Sequence, residues 1–257
     1  MVIKIIFANI LGGKEFLGTK YGETNFGDEI LDKYIDIFAK YQPDIVSLAE
    51  VHLENENGSK MVEEIAKKLQ LSNYDIQGTD KSHVTEGKIL GNAILSHFPI
   101  SKTDHFIIQS PRIEVDRPNG DHWIMHDKGA QSVTLDINDR GVTVGNLQYF
   151  PFHHFNRAMN EPDFASQRQS LVDYLSSANA TFVTGDFNNK NFSLIEAFPE
   201  LFQAGFSEAV ETETTIVGDT QQLDHILFNS SQARVVKSEI VTIPSDHFGL
   251  FVEFELL

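Results

Sequence analysis

Short apolar runs rich in β-branched residues recur along the whole chain, at 3–7, 45–48, 93–95, 133–137, 142–147, 181–184, 226–228, 235–243 and 250–254. Runs of this length, bounded by Gly, Asn, Asp and Pro, read as buried strands, and so many of them require a sheet-containing core. Helical periodicity covers 28–41, 59–69 and 162–177, and in the first of these Ile30, Leu31, Tyr34, Ile35, Ile37 and Phe38 can form an inward stripe. Early strands and helices alternate, while later strands follow one another more directly. That order suits a mixed-sheet α/β or α+β core better than a fully parallel wound sheet. No linker, internal repeat or low-complexity tract divides the 257 residues. The expectation is one domain over 1–257, with 111–129 an irregular excursion.

Several runs share a second property: they end in a carboxylate or an amide. The examples are Phe7-Ala8-Asn9, Ser47-Leu48-Ala49-Glu50, Val183-Thr184-Gly185-Asp186-Phe187-Asn188 and Leu223-Asp224-His225, to which Pro244-Ser245-Asp246-His247 can be added. A polar residue at a strand tip faces a cleft from a rigid base, and tips far apart in sequence can converge. Each alone has a plainer reading. Asn9 and Asn188 can satisfy turns, Gly185-Asp186 can simply end a strand, and Asp246-His247 can sit in a surface loop.

Composition narrows the chemistry. The chain has no cysteine, which excludes a disulfide framework, a thiolate nucleophile and a thiolate metal site. A bound metal must therefore be held by carboxylate, amide or imidazole groups. The formal net charge of -17 disfavours nucleic acid as a high-affinity non-specific partner, because that affinity comes from cations displacing counterions. No apolar run is long enough to span a bilayer, and Val2-Ile3-Lys4-Ile5-Ile6-Phe7 reads as a strand rather than a signal, so a soluble, cytoplasmic protein is expected.

Taken in order, from Asn9 to His247, the strand tips resemble the endonuclease/exonuclease/phosphatase superfamily. Its members include deoxyribonuclease-I-like nucleases, exonuclease III-like repair enzymes, neutral sphingomyelinases, inositol polyphosphate phosphatases and deadenylases. The shared pattern is a first strand ending in Asn (Asn9), a strand ending in Glu (Glu50) and a Gly-Asp-x-Asn turn (Gly185, Asp186, Asn188). A late Asp (Asp224) and a Ser-Asp-His near the C-terminus (Ser245, Asp246, His247) complete it. Gly91-Asn92-Ala93-Ile94-Leu95-Ser96-His97-Phe98-Pro99-Ile100 is also similar to the family's Gly-x-Ala-Ile-Leu-Ser-x-x-Pro-Ile strand.

The resemblance implies a four-layer sandwich, two mixed β-sheets packed face to face with helices outside. It also implies hydrolysis of a phosphate-ester substrate with Mg²⁺, Mn²⁺ being an alternative ion. Glu50 would be the principal metal carboxylate, with Asn9 and Asp246 in or near the metal shell. Asp186 and Asn188 would position the attacking water and the phosphoryl group, with Asp186 a candidate base. His247 would contact the scissile phosphate, and Asp224 would accept a hydrogen bond from its other ring nitrogen.

One position departs from the pattern. Where many members carry Asn-Thr-His-Leu, this chain has Asn146-Leu147-Gln148-Tyr149. A direct alignment puts Gln148 at the His; a shift of one residue makes Tyr149-Phe150-Pro151 resemble the Tyr-x-Pro of exonuclease III-like enzymes. Tyr149 is the preferred reading, and a phenol, unlike an amide, can transfer a proton. His153 and His154, just beyond Pro151, read as loop residues or as substitutes for the missing His. Lys128 reads equally as a phosphate contact and as a solvated loop lysine, and Arg157 and Arg168 read as structural or surface residues.

Within the family the resemblance suits a phosphodiesterase, nuclease-like or acting on a small diester. A phosphomonoesterase for a sugar, inositol or lipid-headgroup phosphate is the alternative. A catalytically weak relative that binds a phosphorylated ligand is a third reading, motivated only by the missing His. Few cations lie near the motifs, which counts against a polyphosphorylated substrate.

Overall fold

In the computed structural model, which describes residues 1–20, 23–55, 58–117 and 120–257, the first strand buries both of its faces. Ile3, Ile5 and Phe7 join one apolar cluster, and Ile6 and Ala8 join another. A strand buried on both sides needs a layer above and a layer below.

The first half of the chain forms β1 (Val2–Asn9), β2 (Lys14–Lys20), β3 (Glu23–Glu29), α1 (Leu31–Tyr41), β4 (Ile45–Leu53), α2 (Lys60–Leu69), β5 (Asn73–Lys81), β6 (Ile89–Ser96) and β7 (Ile100–Ile108). Then come β8 (Glu114–Asp116), β9 (His122–Ile124), β10 (Lys128–Ile137), β11 (Arg140–Gln148), α3 (Ala165–Ser177) and β12 (Phe182–Asp186). The last elements are α4 (Leu194–Ala197), α5 (Pro199–Gln203), β13 (Phe206–Glu208), β14 (Asp224–Asn229), β15 (Ala233–Val241) and β16 (Gly249–Leu256).

Two six-stranded sheets result, ordered β15-β16-β1-β4-β6-β5 and β13-β14-β12-β11-β10-β7. Each is mixed: β1 runs parallel to β4, and β11 parallel to β12, among otherwise antiparallel neighbours. Between the sheets lies a core from both, with Ile5, Phe7 and Ile94 facing Val133, Val144, Phe182 and Ile226. α1 and α2 cover the outer face of the first sheet through Tyr34, Phe38, Val62 and Ile65. α3 and α5 cover the second through Leu171, Leu175 and Leu201. The fold is the deoxyribonuclease-I-like four-layer sandwich that the resemblance implies.

The elements that escape sequence reading are mostly polar edges. β5 and β7 each close one side of a sheet, and β7 is exposed along most of its length. An edge strand has no second neighbour to demand apolar alternation. The helix expected over 28–41 begins at Leu31, because 28 and 29 belong to β3, which hairpins with β2. The 111–129 excursion holds the small β8–β9 hairpin, and its last two residues start β10. No helix among the described residues is long and apolar enough to cross a membrane.

Candidate active site

The site lies at one end of the layer between the sheets, and strand alternation decides who faces it. On β11, Val144 points between the sheets, Leu147 points to the outer helices, and Gln148 again points inward. Gln148 pairs with Asp186 on β12, and Asp186 pairs with Asp224 on β14. Residues abreast in a sheet project from the same face, so three polar side chains stand side by side at one end of the core. Gly185 makes this packing possible: a Cβ there would sit 2.7 Å from the Leu147 side chain and carbonyl.

The opposing sheet contributes Asn9 and Glu50. Val46 and Leu48 of β4 face the outer helices, and the next to do so is Val51 rather than residue 50. The cause is a β-bulge: Ala49 pairs with Asn92 and Val51 with Gly91, leaving Glu50 without a partner at φ 56°. A bulge re-aims a side chain, and a left-handed non-glycine residue is a cost that persists where surroundings enforce it. Asn188 at φ 51° is a second such position, and its backbone N–H donates to Asp186 Oδ1 over 3.1 Å.

A hydrogen-bonded chain links the two sheets across the site. Lys128 Nζ donates to Gln148 Oε1 (2.7 Å), and Gln148 Nε2 donates to Glu50 Oε1 (2.7 Å) and Asp186 Oδ2 (3.3 Å). Asn9 Nδ2 also donates to Asp186 Oδ2 (3.3 Å), and Asn188 Nδ2 donates to the Tyr149 carbonyl (3.0 Å). Burial alone would raise the Glu50 carboxyl, but the cationic surroundings of His83, Lys128 and His247 and the Gln148 bond bring it down to about 2. Asp186 goes the other way, pushed up by burial and by the Asp224 charge beside it. Two neighbouring carboxylates with opposite shifts suit different tasks, one to hold a cation and one to take a proton.

His247 Nδ1 lies 2.8 Å from Asp224 Oδ2. Burial disfavours its charged form, yet Asp224, Asp246 and Asp186 together hold the imidazole pKa well above its usual value. Since a carboxylate only accepts, Nδ1 donates, and the other ring nitrogen is a second donor for an anion. Ligand atoms of Asp186, Asp224 and His247 lie within 4.8 Å of one another, which resembles a metal cluster. An imidazolium cannot ligate, so this trio is an acid–cation pair beside a carboxylate. Glu50, Asn9 and Asp246 are the better match for a hard cation: all offer oxygen, and Glu50 is held ionised. Asp246 is close enough to Glu50 for both to act electrostatically on Tyr34 and His83.

Tyr149 requires a correction. Its side chain faces the outer helices, fully buried among Phe150, Phe152 and Phe198, and its hydroxyl has no hydrogen-bond partner among the described residues. Residue 149 points opposite to residue 148, so Gln148 takes the position that Tyr149 was expected to fill. Lys128 is a buried residue bonded into the site rather than a solvated loop lysine. His153 and His154 lie in tilted contact, ring centroids 4.2 Å apart, beyond the Pro151 turn, where burial pushes His153 down to about 3 while His154 is exposed. Arg157 pairs with Glu161 and Asp163, and Arg168 donates to the Met159 carbonyl.

Two contributors escaped sequence reading. Asn146, fully buried, donates to the Leu48 and Ala93 carbonyls (2.8 and 3.2 Å) and accepts from Thr184 Oγ1, tying the sheets beneath the site. His83, in the β5–β6 loop, stands close enough to Glu50 and Lys128 to feel both charges. Asn146 was legible from its two-residue spacing to Gln148; no local signal marked His83.

A model of the Endonuclease/Exonuclease/phosphatase family matches residues 8–247. No curated protein sequence matches the chain. Among solved structures, an endonuclease/exonuclease/phosphatase from Beutenbergia cavernae DSM 12333 is similar at 14% identity and TM-score 0.71, over 99% of this chain and 72% of that one. The human Nocturnin catalytic domain with bound sulfate anion is similar at 16% identity and TM-score 0.65, over 100% and 94%. A mannosyl-6-phosphatase from Bacteroides thetaiotaomicron VPI-5482 is similar at 14% identity and TM-score 0.61, over 99% of each chain. These likenesses are of fold, and together with a family match that reaches from the tip of β1 to His247 they place the strand-tip cluster in a known lineage: the chain belongs to the Endonuclease/Exonuclease/phosphatase family.

Proposed function

We propose that this protein is an Mg²⁺-dependent phosphodiesterase that hydrolyses its substrate by in-line attack of water. The observation that carries the reading is the row Gln148, Asp186 and Asp224 abreast on one sheet, facing Glu50 and Asn9 on the other and closed by the His247–Asp224 pair. Glu50, Asn9 and Asp246 would hold the metal. Bound Mg²⁺ supplies a Lewis acid that offsets charge on the phosphoryl oxygens.

The chain's own groups do the rest. Asp186, with its raised proton affinity, takes the proton from the attacking water as the new P–O bond forms and the ester P–O bond breaks, the leaving oxygen departing with the bonding pair and taking its proton from solvent water. Asn188, its backbone fixed by Asp186 and its side chain by the Tyr149 carbonyl, orients the phosphoryl group. His247 meets the charge that develops on the non-bridging oxygens, and Asp224 fixes its orientation.

Charge balance favours a diester. The carboxylates of Glu50, Asp186, Asp224 and Asp246 outnumber the cations of Lys128 and His247. One divalent ion then brings the site near neutrality, and a singly charged diester costs less to seat than a doubly charged monoester. Hydrolysis of bis-p-nitrophenyl phosphate and p-nitrophenyl phosphate, each with Mg²⁺ and with EDTA, tests this. Metal-dependent cleavage of the diester in preference is expected, with Glu50→Ala and His247→Ala each losing most turnover while the fold persists. Preference for the monoester would sink the diesterase reading, and full activity in either variant would refute the site.

A further inference from the structure

His225 follows Asp224 on β14 and has no place in the chemistry above. Strand alternation turns it to the opposite face of the sheet, abreast of Gly185 and edge-on to Phe187 with ring centroids 5.5 Å apart. It is buried there, yet both ring nitrogens meet polar partners: Nδ1 lies 3.0 Å from Glu208 Oε2, and Nε2 lies 3.0 Å from Asn189 Oδ1. The Asn189 amide has one orientation, because its Nδ2 donates to the Phe192 carbonyl over 2.9 Å and a reversed amide would set two carbonyl oxygens against each other. Asn189 Oδ1 therefore faces the ring, and since a carbonyl only accepts, Nε2 carries a proton and donates. Glu208 braces the ring from its other side.

What the ring holds is the turn that carries the site. Asn188 and Asn191 sit at left-handed φ, 51° and 71°, and such non-glycine conformations persist where the surroundings enforce them. On the side of the site, the Asn188 backbone N–H donates to Asp186 Oδ1 and its Nδ2 to the Tyr149 carbonyl. On the other side the next residue, Asn189, is buried and receives the His225 N–H. The turn is thus clamped between β12 and the outer face of β14, with Asn188 at its inner edge.

Resting on the phosphoesterase reading, we propose that His225 is a positioning residue for that reaction: by donating from Nε2 to Asn189, it holds the turn so that Asn188 meets the phosphoryl group in the productive orientation. Its effect passes through Asn188 and not through contact with substrate. Displacing a positioned group by about 1 Å costs about 10²-fold in rate, so a clamp on the far side of the turn governs turnover more than binding.

Steady-state cleavage of bis-p-nitrophenyl phosphate with Mg²⁺ tests this. His225→Leu, which keeps bulk and removes the donor, should lower kcat about 10- to 100-fold and move KM by less than about threefold. His225→Gln, whose amide N–H can stand where Nε2 stands, should bring kcat back to within about fivefold of the wild type. His225 also adjoins Asp224, so a double-mutant cycle decides the route: in an Asn188→Ala background, His225→Leu should cost less than about twofold more. Far-UV circular dichroism and melting curves confirm that each variant is folded. Should His225→Leu not fold, Asn189→Ala, which removes the acceptor from the other end of the bond, replaces it in each comparison. In the wild type itself, proton–nitrogen correlation spectra of the imidazole at the assay pH should find Nε2 protonated. If the wild type with Mg²⁺ cleaves neither that diester nor p-nitrophenyl phosphate, the phosphoesterase reading fails and this inference with it. If the wild type is active but Nε2 is unprotonated, or the folded donor-less variant keeps full kcat, or His225→Gln is no faster than His225→Leu, or the loss recurs in full beside Asn188→Ala, the phosphoesterase stands and the positioning role is overturned.

Discussion

Gln148 Nε2 donates to Glu50 Oε1 across 2.7 Å, while Gln148 Oε1 accepts from Lys128. The two contacts leave the amide only one orientation, since an –NH₂ cannot face an ammonium and a carbonyl cannot face a carboxylate. Gln148 therefore aims Glu50 and keeps the buried Lys128 paired. Gln148→Leu keeps the volume but removes both bonds. We expect kcat to fall about 10- to 100-fold and the Mg²⁺ concentration for half-maximal rate to rise. Metal titrations of initial rate check both, and an unchanged metal dependence would mean that Gln148 does not orient Glu50.

Tyr149 supplies the opposite prediction. Its hydroxyl is buried with no partner among the described residues, a condition worth about 1–3 kcal/mol against the folded state. Burial also pushes its pKa above the ordinary tyrosine value, so the phenol is no proton donor to a site it does not face. Tyr149→Phe should keep full activity and melt no lower than the wild type. A large loss of rate with an intact fold would place the phenol in the chemistry after all.

These two residues mark the limit of what the sequence allowed. The tips Asn9, Glu50, Asp186, Asp224 and His247 were legible as a set because strands position them and their order matches a family. The choice between 148 and 149 was also available: counting by twos from Val142 and Val144, both turned to the inter-sheet core, reaches 146 and 148. What alternation could not supply was register between strands distant in sequence. The Glu50 bulge, the approach of Lys128 and the overhanging His83 all depend on such contacts. Polar edge strands such as β7 were illegible for the reason that they lack a second neighbour.

Asp186 should set the acidic limb of the rate profile. Burial and the Asp224 charge push its pKa up from 3.8 to about 7 without a metal. A nearby divalent cation favours the carboxylate and lowers that value. The group acts as a base only when ionised, so kcat/KM should rise with pH along a limb lying between those two values. Asp186→Asn should remove the limb and cost about 10²- to 10⁴-fold in rate. A wild-type profile flat down to pH 4 would exclude Asp186 as the base.

His52 governs a different response, on stability. Ser82 Oγ accepts from the backbone of Val84 and Thr85 (3.0 and 2.9 Å), so its own proton is directed to His52 Nε2 at 3.1 Å, which must then be unprotonated. The ring is buried under Gly12, where a Cβ would sit 2.2 Å from it, and burial brings its pKa down from 6.5 to about 4. Between those values the unfolded chain binds a proton that the folded chain refuses. Stability from this residue is thus intact above pH 6.5 and lost progressively as pH falls to 4, by up to about 3 kcal/mol at 1.36 kcal/mol per unit. In urea unfolding, the advantage of wild type over His52→Gln should shrink by about that amount between pH 7.5 and pH 4. The Ser82 turn also carries His83 toward Glu50, so acid should loosen this rim of the site before the sheets unfold. Protection factors of the Val84 and Thr85 amides, corrected for the intrinsic slowing of exchange in acid, that fall below pH 6 in the wild type while core amides keep theirs are the expected sign; protection factors unchanged down to pH 4 would separate His52 from the loop.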